Sequence, residues 1–296
     1  MTTIALATAA AARPLDEDLA PLEAALRLVG ITPSIVEWDD ASIDWPSFDL
    51  VVLRSTWDYS TRLPEFLRWI DRISPLTTLV NPREVVRWNT DKHYLAHLAN
   101  AGVPVVPSTF IEPGEDAGRA LDAFLASAGD EFVVKPSVGA GSRDAQRYGR
   151  DERDAALAHA TRLLDANRSV LMQPYLARVD AHGETALIFF AGAFSHAIRK
   201  GPLLKRGEGP TRALFATEHI MPRTPSADEI AVATRTLAAM PFGELLYARV
   251  DLIHDDDGTP RVLELELTEP SLFFGHAPGS ADRFAAAIVH RARGRR

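Results

Sequence analysis

The feature that most constrains the fold is an alternation of strand-like and helix-like segments over the first 82 residues. Apolar runs at 3–8, 34–38 and 48–55 have the length and composition of buried strands, and a fourth, shorter run ends in proline. Amphipathic stretches at 16–29 and 64–73 lie between them. Such alternation with short connections predicts a parallel sheet flanked by helices. We therefore expect an α/β domain at the N terminus, beginning with a strand and not with a secretion signal, because no basic residues precede the first apolar run.

The carboxyl ends of these predicted strands are candidate binding positions, because ligands of open α/β sheets lie beyond that edge. The ends carry residues 9–13 and the cluster Arg-Ser-Thr-Trp-Asp-Tyr at 54–59. Arg54 lies where a small anion would arrive. We expect Arg54, Ser55 and Trp57 to contact a substrate, and a capped loop is the alternative interpretation.

Two further units follow along the chain. The elements predicted for the second unit are a helix at 89–102, strands at 103–110 and 130–136, helices at 116–128 and 151–164, and a strand at 169–174. Those predicted for the third unit are strands at 184–190 and 193–200, a helix at 227–239, two acidic strands and a last helix. We expect three domains, at 1–88, 89–172 and 173–296. The loop at 201–213, rich in glycine, proline and cations, is expected to be a mobile lid or a disordered surface loop.

The acidic strands lie in RVDLIHDDDGTPRVLELELTEP, residues 249–270, around an Asp-Gly turn. Antiparallel pairing across that turn would bring Asp251 near Glu264 and Glu266. Like charges on one face repel, and Mg²⁺ removes the repulsion because it prefers oxygen ligands and commonly combines one or two carboxylates with substrate phosphates. The alternative is a half-exposed strand whose glutamates face water. Strict alternation predicts one face with Val262, Glu264, Glu266 and Thr268 and a core face with Leu263, Leu265 and Leu267.

A second motif, FVVKPSVGAGSR, offers a place to hold phosphate. Its strand ends with Lys135 and runs into a loop that contains Gly139, Gly141 and Ser142. Glycines let backbone N–H groups approach phosphate oxygens closely, although the loop lacks the Gly-Lys-Ser/Thr ending of a P-loop. Together with Lys92, just inside a predicted helix start, the loop suggests a nucleotide clamp.

These motifs, taken in order, resemble the ATP-grasp superfamily of ligases, in its glutathione-synthetase-like form. The matching segments are Asn-Thr-Asp-Lys92, Val-Lys135-Pro with its glycine-rich loop, Leu-Met-Gln173-Pro-Tyr-Leu176, Arg249-x-Asp251 and Glu264-x-Glu266, which together span nearly the whole chain. The resemblance implies two α+β lobes that close on Mg-ATP, preceded by the small α/β domain.

The resemblance also implies a role for each matching residue. The implied ATP contacts are Lys92, Lys135, Gly139, Ala140, Gly141, Ser142, Gln173, Pro174, Tyr175 and Leu176. Asp251, Glu264 and Glu266 would ligate two Mg²⁺ ions, with Mn²⁺ as an alternative, while Lys200 and Arg249 would stabilise charge on the transferred phosphoryl group. The chain departs from the family at two positions: Glu266 replaces a common Asn, and Pro174 replaces a frequent Glu.

Within the superfamily, LRSTWDY, FSHAIRKGP and LELELTEPSLFF resemble cyclo-ligases that act on O-ureido-D-serine. That resemblance implies phosphorylation of the substrate carboxylate and ring closure to D-cycloserine, with loss of CO₂ and ammonia and release of ADP and phosphate. The resemblance also implies a substrate pocket, and the residues expected to line it are Arg54, Ser55, Trp57, Glu269 and Ser271. An intermolecular carboxylate–amine ligase and a non-catalytic nucleotide-binding module are the alternatives.

Composition limits the remaining possibilities. A formal net charge of −8 argues against nucleic acid or an anionic membrane as a partner. The partners that the resemblance implies are an amino-acid substrate and ATP. The absence of cysteine excludes disulfides and thiolate chemistry. No apolar run approaches the roughly 18 residues that span a bilayer, so the cytoplasm is the expected location. The oligomeric state stays open, with a homodimer as one alternative.

Overall fold

The N-terminal part of the chain forms a parallel sheet, as the sequence predicts. The structure is a computed structural model that describes residues 2–207, 209 and 219–294. The sheet has the order β2-β1-β3-β4, and all its pairings are parallel. Its elements are β1 (Ile4–Thr8), α1 (Leu19–Leu28), β2 (Ser34–Glu37), β3 (Leu50–Leu53), α2 (Tyr59–Ile73) and β4 (Thr78–Val80). Helix α2 begins before the expected position, with a break at Arg62 just before Pro64, whose ring cannot be accommodated in an unbroken helix.

The second unit is an antiparallel sheet covered by helices. Its strands have the order β5-β8-β6-β7, and α5 and α6 pack against one another and against the sheet. Its elements are α3 (Arg83–Asn89), α4 (Tyr94–Asn100), β5 (Thr109–Ile111), α5 (Ala117–Leu125), β6 (Glu131–Pro136), β7 (Gln146–Gly149), α6 (Arg153–Asp165) and β8 (Val170–Pro174). The prediction of one helix over 89–102 is wrong. Two helices meet there, and Lys92 lies in the turn between them, where its backbone N–H donates to the Ser137 carbonyl at 3.0 Å.

The third unit is a second antiparallel sheet, with the order β11-β10-β9-β12-β13. Its elements are α7 (Val179–His182), β9 (Glu184–Phe190), β10 (Ala193–Lys200), β11 (Ile220–Arg223), α8 (Ala227–Ala238), β12 (Tyr247–His254), β13 (Pro260–Glu266) and α9 (Ser280–Arg293). Helix α8 packs on β12 and β13, and α9 packs between this sheet and α1. The loop predicted as a lid, 201–213, lies partly outside the described residues. Within the described part of the chain, every helix is too short or too polar to cross a bilayer.

A β-bulge in the acidic hairpin corrects the predicted strand faces. Asp251 pairs with Glu264, but the next residue, Leu252, pairs with Val262, so Leu263 is an extra residue in β13. The bulge places Val262 in the hydrophobic core together with Leu265 and Leu267, and it leaves Leu263 facing a cleft with the two glutamates. The prediction of Val262 on the glutamate face and Leu263 on the core face is therefore wrong, because simple alternation holds only in an unbroken strand.

Buried amide side chains join the N-terminal sheet to the third unit. The Asn81 amide donates to the carbonyls of Tyr247 and Leu267 at 2.9 and 2.7 Å, and its oxygen accepts from the Leu246 N–H at 3.0 Å. Asn89, at the end of α3, joins the second unit to β13 by donating to the Leu265 carbonyl at 2.7 Å. One hydrophobic cluster also includes β1, β3, β9 and α9. The division into domains 1–88, 89–172 and 173–296 stays a prediction.

We predict that Asn81→Ala lowers the free energy of unfolding by about 3 kcal/mol, because three buried backbone groups lose their partner. Urea unfolding followed by circular dichroism measures the change. Asn100→Ala, at an exposed position at the end of α4, is the matched control and should change stability by less than about 0.5 kcal/mol. A loss below about 1 kcal/mol for Asn81→Ala would show that water replaces the amide without cost.

Candidate active site

A single cleft gathers most of the residues singled out in the sequence. It lies where β6 and β8 of the second unit face β10, β12 and β13 of the third, and the loop after β3 closes one side. The predicted site residues that line it are Trp57, Lys92, Lys135, Gly139, Ala140, Gly141, Ser142, Gln173, Pro174, Tyr175, Leu176, Lys200, Arg249, Glu264, Glu266, Glu269 and Ser271. Three predicted residues, Arg54, Ser55 and Asp251, lie buried behind its walls.

Two lysines and the glycine-rich loop form one end of the cleft. The Lys92 ammonium lies 2.8 Å from a Glu264 carboxylate oxygen and donates to the Gly139 carbonyl at 2.9 Å, which ties the loop to β13. Lys135 has no ion pair with any described residue, and burial lowers the pKa of its ammonium to about 8. Lys135 is therefore a cation in the cleft that is free to contact an anionic ligand.

The segment 173–176 forms the wall beside β8. Gln173 is buried and donates to the Ser108 hydroxyl at 3.0 Å, and the N–H of Tyr175 donates to the Glu131 carbonyl at 2.9 Å. Sequence reasoning missed Arg147, whose guanidinium lies 3.5 Å from the centre of the Tyr175 ring. Arg147 also forms an ion pair with Asp180 at 3.3 Å, so β7 holds this wall in place.

A dense ionic network fills the opposite side of the cleft. Arg249 donates to both oxygens of Asp251 at 2.8 Å and also pairs with Glu266. Lys200 lies 2.7 Å from Asp251 and pairs with Glu184. Burial opposes ionisation, yet Arg249 and Lys200 together hold the pKa of Asp251 well below its usual range. Burial raises the pKa of Glu184 to about 8 and that of Glu266 to about 7.

Glu184 was not predicted as a site residue, although the sequence holds a signal for it. In the β9–β10 hairpin Glu184 lies directly opposite Lys200. Opposite charges that face one another across antiparallel strands interact. The register of the two predicted strands would therefore have placed this glutamate beside the predicted catalytic lysine.

The carboxylates of the cleft fit a hard divalent cation only in part. Across the described ranges, no three His, Cys, Asp or Glu side chains converge closely enough to hold a metal ion. Glu264 and Glu266 present oxygen donors to the cleft, as Mg²⁺ requires, and the raised pKa of Glu266 reflects burial and repulsion by Asp251 and Glu264 that outweigh its pairing with Arg249. Both Asp251 oxygens already accept hydrogen bonds, so it would have to give up a contact to bind metal. The metal-ligand roles of these three residues stay predictions.

The segment 268–274, which follows β13, is clamped from both sides. Its carbonyls accept hydrogen bonds from Trp57 Nε1 at 3.0 Å, from Arg54 at 3.1 Å and from Arg249 at 3.1 Å. Asp18 accepts from the backbone N–H groups of 272, 273 and 274 at 2.6 to 3.0 Å. Arg54 thus supports the segment from behind, and Ser55 bonds to the Thr8 hydroxyl at 2.6 Å. Substrate contact by Arg54 and Ser55 stays a prediction.

Glu269, in this clamped segment, is buried without a counter-charge. The residue is 7% exposed, and its Oε2 has no hydrogen-bond partner among the described residues. Burial, followed by the repulsion from Glu266, raises its pKa to about 8, although the nearby Tyr59 hydroxyl favours the ionised form and lowers that pKa. A pKa of about 8 favours the protonated form of this carboxyl near neutral pH.

Comparison with known proteins identifies the fold and the family. Residues 4–81 match the family model DcsG_N, the N-terminal domain of D-cycloserine synthetase DcsG. The cycloserine biosynthesis protein DcsG of Streptomyces lavendulae is 44% identical over 298 residues, which cover 98% of this chain and 99% of the relative. The crystal structure of D-cycloserine synthetase DcsG superposes with a TM-score of 0.92 at 43% identity, over 98% of this chain and 99% of that one.

More distant structures share the fold alone. D-alanine–D-alanine ligase from Bacillus anthracis in complex with ATP superposes with a TM-score of 0.67 at 15% identity, over 99% of this chain and 98% of that one. The fold is therefore that of an ATP-grasp ligase, and this confirms the predicted α/β class and the resemblance. The chain belongs to the DcsG family of these enzymes.

We predict that Glu269→Gln stabilises the empty protein increasingly as the pH rises from about 5 to 8.5. The native carboxyl, with a pKa of about 8 against an ordinary 4.5, keeps a proton that the unfolded chain has released, so wild-type stability falls across that window. The charges that face it are Glu264, Glu266 and Lys92. Glutamine is neutral throughout, so the variant should gain at least about 1 kcal/mol over wild type by pH 8.5.

Urea unfolding at several pH values measures this difference. Glu84→Gln, at an exposed position in α3, is the matched control and should follow wild type at every pH. A constant difference between Glu269→Gln and wild type would contradict the raised pKa.

Proposed function

We propose that this enzyme is an ATP-dependent cyclo-ligase that converts O-ureido-D-serine into D-cycloserine. The observation that carries the proposal is the near full-length identity, 44% and 43%, to proteins named for cycloserine biosynthesis and D-cycloserine synthesis. The cleft supports it, because the enzyme has a lysine free for an anion and an ionic network next to it. The cytoplasmic location and the oligomeric state expected from the sequence stay predictions.

The proposed reaction begins with transfer of the γ-phosphoryl group of ATP to a substrate carboxylate oxygen, which gives an acyl phosphate and ADP. The oxyamine nitrogen of the same molecule then attacks the activated carbonyl carbon, and phosphate leaves. Water removes the carbamoyl group as CO₂ and ammonia. Because nucleophile and electrophile belong to one molecule, correct positioning replaces a large entropic cost of association.

The residues of the cleft take distinct parts in this scheme. Lys92, Lys135 and the loop at 139–142 hold the phosphates, and the wall at 173–176 holds the adenine. Lys200 and Arg249 oppose the charge that spreads over the transferred phosphoryl oxygens. Positioning and charge stabilisation of this kind carry most of the catalysis in phosphoryl transfer.

Glu264 and Glu266 are the residues best placed to hold Mg²⁺ in this scheme, with Asp251 behind them. When bound, the ion would neutralise phosphate oxygens of ATP. An ATP-grasp ligase of similar fold, PsnB, has been solved with Mg and ADP, with a TM-score of 0.65 at 19% identity over 98% of this chain and 99% of that one. Two ions, and Mn²⁺ as a substitute, stay predictions.

A substrate panel tests the proposed reaction. With Mg-ATP, phosphate release should be at least about 100-fold faster with O-ureido-D-serine than with its L-isomer or with D-alanine. Mass spectrometry should detect D-cycloserine in the first mixture only. Release that requires a second amino acid would instead indicate an intermolecular ligase. Tight ATP binding with no turnover of any substrate would indicate a binding module.

We predict that Glu264→Gln lowers kcat for ADP formation by at least about 100-fold, because the variant loses both a metal-binding charge and the partner of Lys92. A coupled ADP assay measures the rate, and circular dichroism checks the fold. Asp256→Asn, an exposed carboxylate in the turn of the same hairpin, is the matched control and should keep wild-type activity. Unchanged turnover in Glu264→Gln would remove Glu264 from the mechanism.

A further inference from the structure

The carboxylates that surround the cleft differ in whether a cationic side chain pairs with them. Glu184, Asp251, Glu264 and Glu266 each form an ion pair with a lysine or an arginine. Glu269 forms none within the part of the chain that the structure describes, and its Oε2 accepts no hydrogen bond there. We propose that the Glu269 carboxylate binds the α-ammonium group of the amino-acid substrate. This inference rests on the proposed function, since it names the group that the substrate presents.

The position of Glu269 is fixed independently of its side chain. Trp57 Nε1 holds the Glu269 carbonyl at 3.0 Å, and Arg54 holds the next carbonyl, that of Pro270, at 3.1 Å. Asp18 holds the N–H groups that follow. The backbone therefore cannot move outwards and expose the carboxylate to water. Glu269 lines the cleft but is only 7% exposed. A carboxyl buried and fixed in this way either keeps its proton or is compensated by a cationic ligand.

The surroundings of Glu269 favour an organic cation over a metal ion. Trp57 and Tyr59 line the cleft together with Glu269, and the Trp57 indole N–H donates to the Glu269 carbonyl at 3.0 Å. Aromatic rings attract ammonium groups, whereas Mg²⁺ retains water and takes oxygen ligands. The neutral N–H groups of a ureido chain would supply hydrogen bonds but no charge. The α-ammonium is therefore the part of the substrate that compensates Glu269.

Such an anchor would also contribute to stereochemical selection. The α-carbon of the substrate carries an ammonium group, a carboxylate and the ureido-oxymethyl chain. Glu269 would bind the ammonium group, while the cations that surround the transferred phosphoryl group would bind the carboxylate. With these two groups fixed, the two enantiomers differ in which position the ureido-oxymethyl chain takes and which the hydrogen takes. Only one enantiomer then places the oxyamine nitrogen where it can attack the activated carboxyl carbon.

Steady-state phosphate release with two substrates tests the proposal. O-ureido-D-serine is compared with its des-amino analogue, 3-(ureidooxy)propanoate, which lacks only the α-amine. Wild type should prefer the amine by at least about 100-fold in kcat/KM, because the analogue leaves Glu269 unpaired. In Glu269→Gln the preference should fall below about tenfold, and Glu269→Asp, which keeps the charge, should retain an intermediate preference. KM for ATP and the Mg²⁺ activation midpoint should change by less than about twofold.

The outcomes separate this proposal from the proposed function. Absence of turnover of O-ureido-D-serine by wild type would overturn both. Normal wild-type turnover with an undiminished preference for the amine in Glu269→Gln would overturn the ammonium site and leave the cyclo-ligase standing. A shift in the Mg²⁺ midpoint without a change in preference would make Glu269 part of the metal site and would also overturn the proposal. Glu84→Gln, the exposed control in α3, should reproduce wild type in every measurement.

Discussion

The requirement that buried charge be compensated organises this cleft. Antiparallel pairing places the partners: Lys200 lies opposite Glu184, and Arg249 lies opposite Glu266. Asp251 lies beside both cations. A fold that buries this much charge without pairing would not be stable, because an unpaired buried ion costs several kcal/mol. Strand register therefore determines both the stability of the third unit and the arrangement of its candidate catalytic groups.

The N-terminal unit contributes to the cleft through the same clamped segment. Asp18 and Arg54 hold 268–274 from behind, while Trp57 and Tyr59 reach the cleft directly. Asn81 joins the edge of the parallel sheet to the ends of β12 and β13. The parallel sheet thus positions a wall of the cleft, although ligands of open sheets commonly bind at the sheet itself. The carboxyl edge of the strands is still the edge that faces the site.

Patterns in the sequence predicted the parallel sheet, most of the strands and about half of the residues that line the cleft, because periodicity and short motifs are local properties. These patterns did not predict features that depend on contacts between residues far apart in the sequence. The bulge at Leu263 depends on how β13 pairs with β12, and the support given by Arg147 depends on a short, polar strand, β7. The burial of Arg54 behind its segment has the same origin, since its partner carbonyl lies 216 residues away. No local pattern encodes such a contact.

The pairing of charges also suggests how the cleft accepts its ligands under the proposed function. If Glu264 holds Mg²⁺ and the two lysines hold phosphate as proposed, Glu264 would exchange Lys92 for the metal ion while Lys92 would exchange Glu264 for phosphate. Lys135 would gain a phosphate partner without giving up an ion pair. Each buried charge thereby stays compensated, and the large cost of an unpaired ion does not arise during binding. Glu269 takes no part in that exchange. If Glu269 binds the substrate ammonium group as proposed, that cation would lower the pKa of its carboxyl, which would link ionisation of Glu269 to binding of the amino-acid substrate and not to binding of the nucleotide.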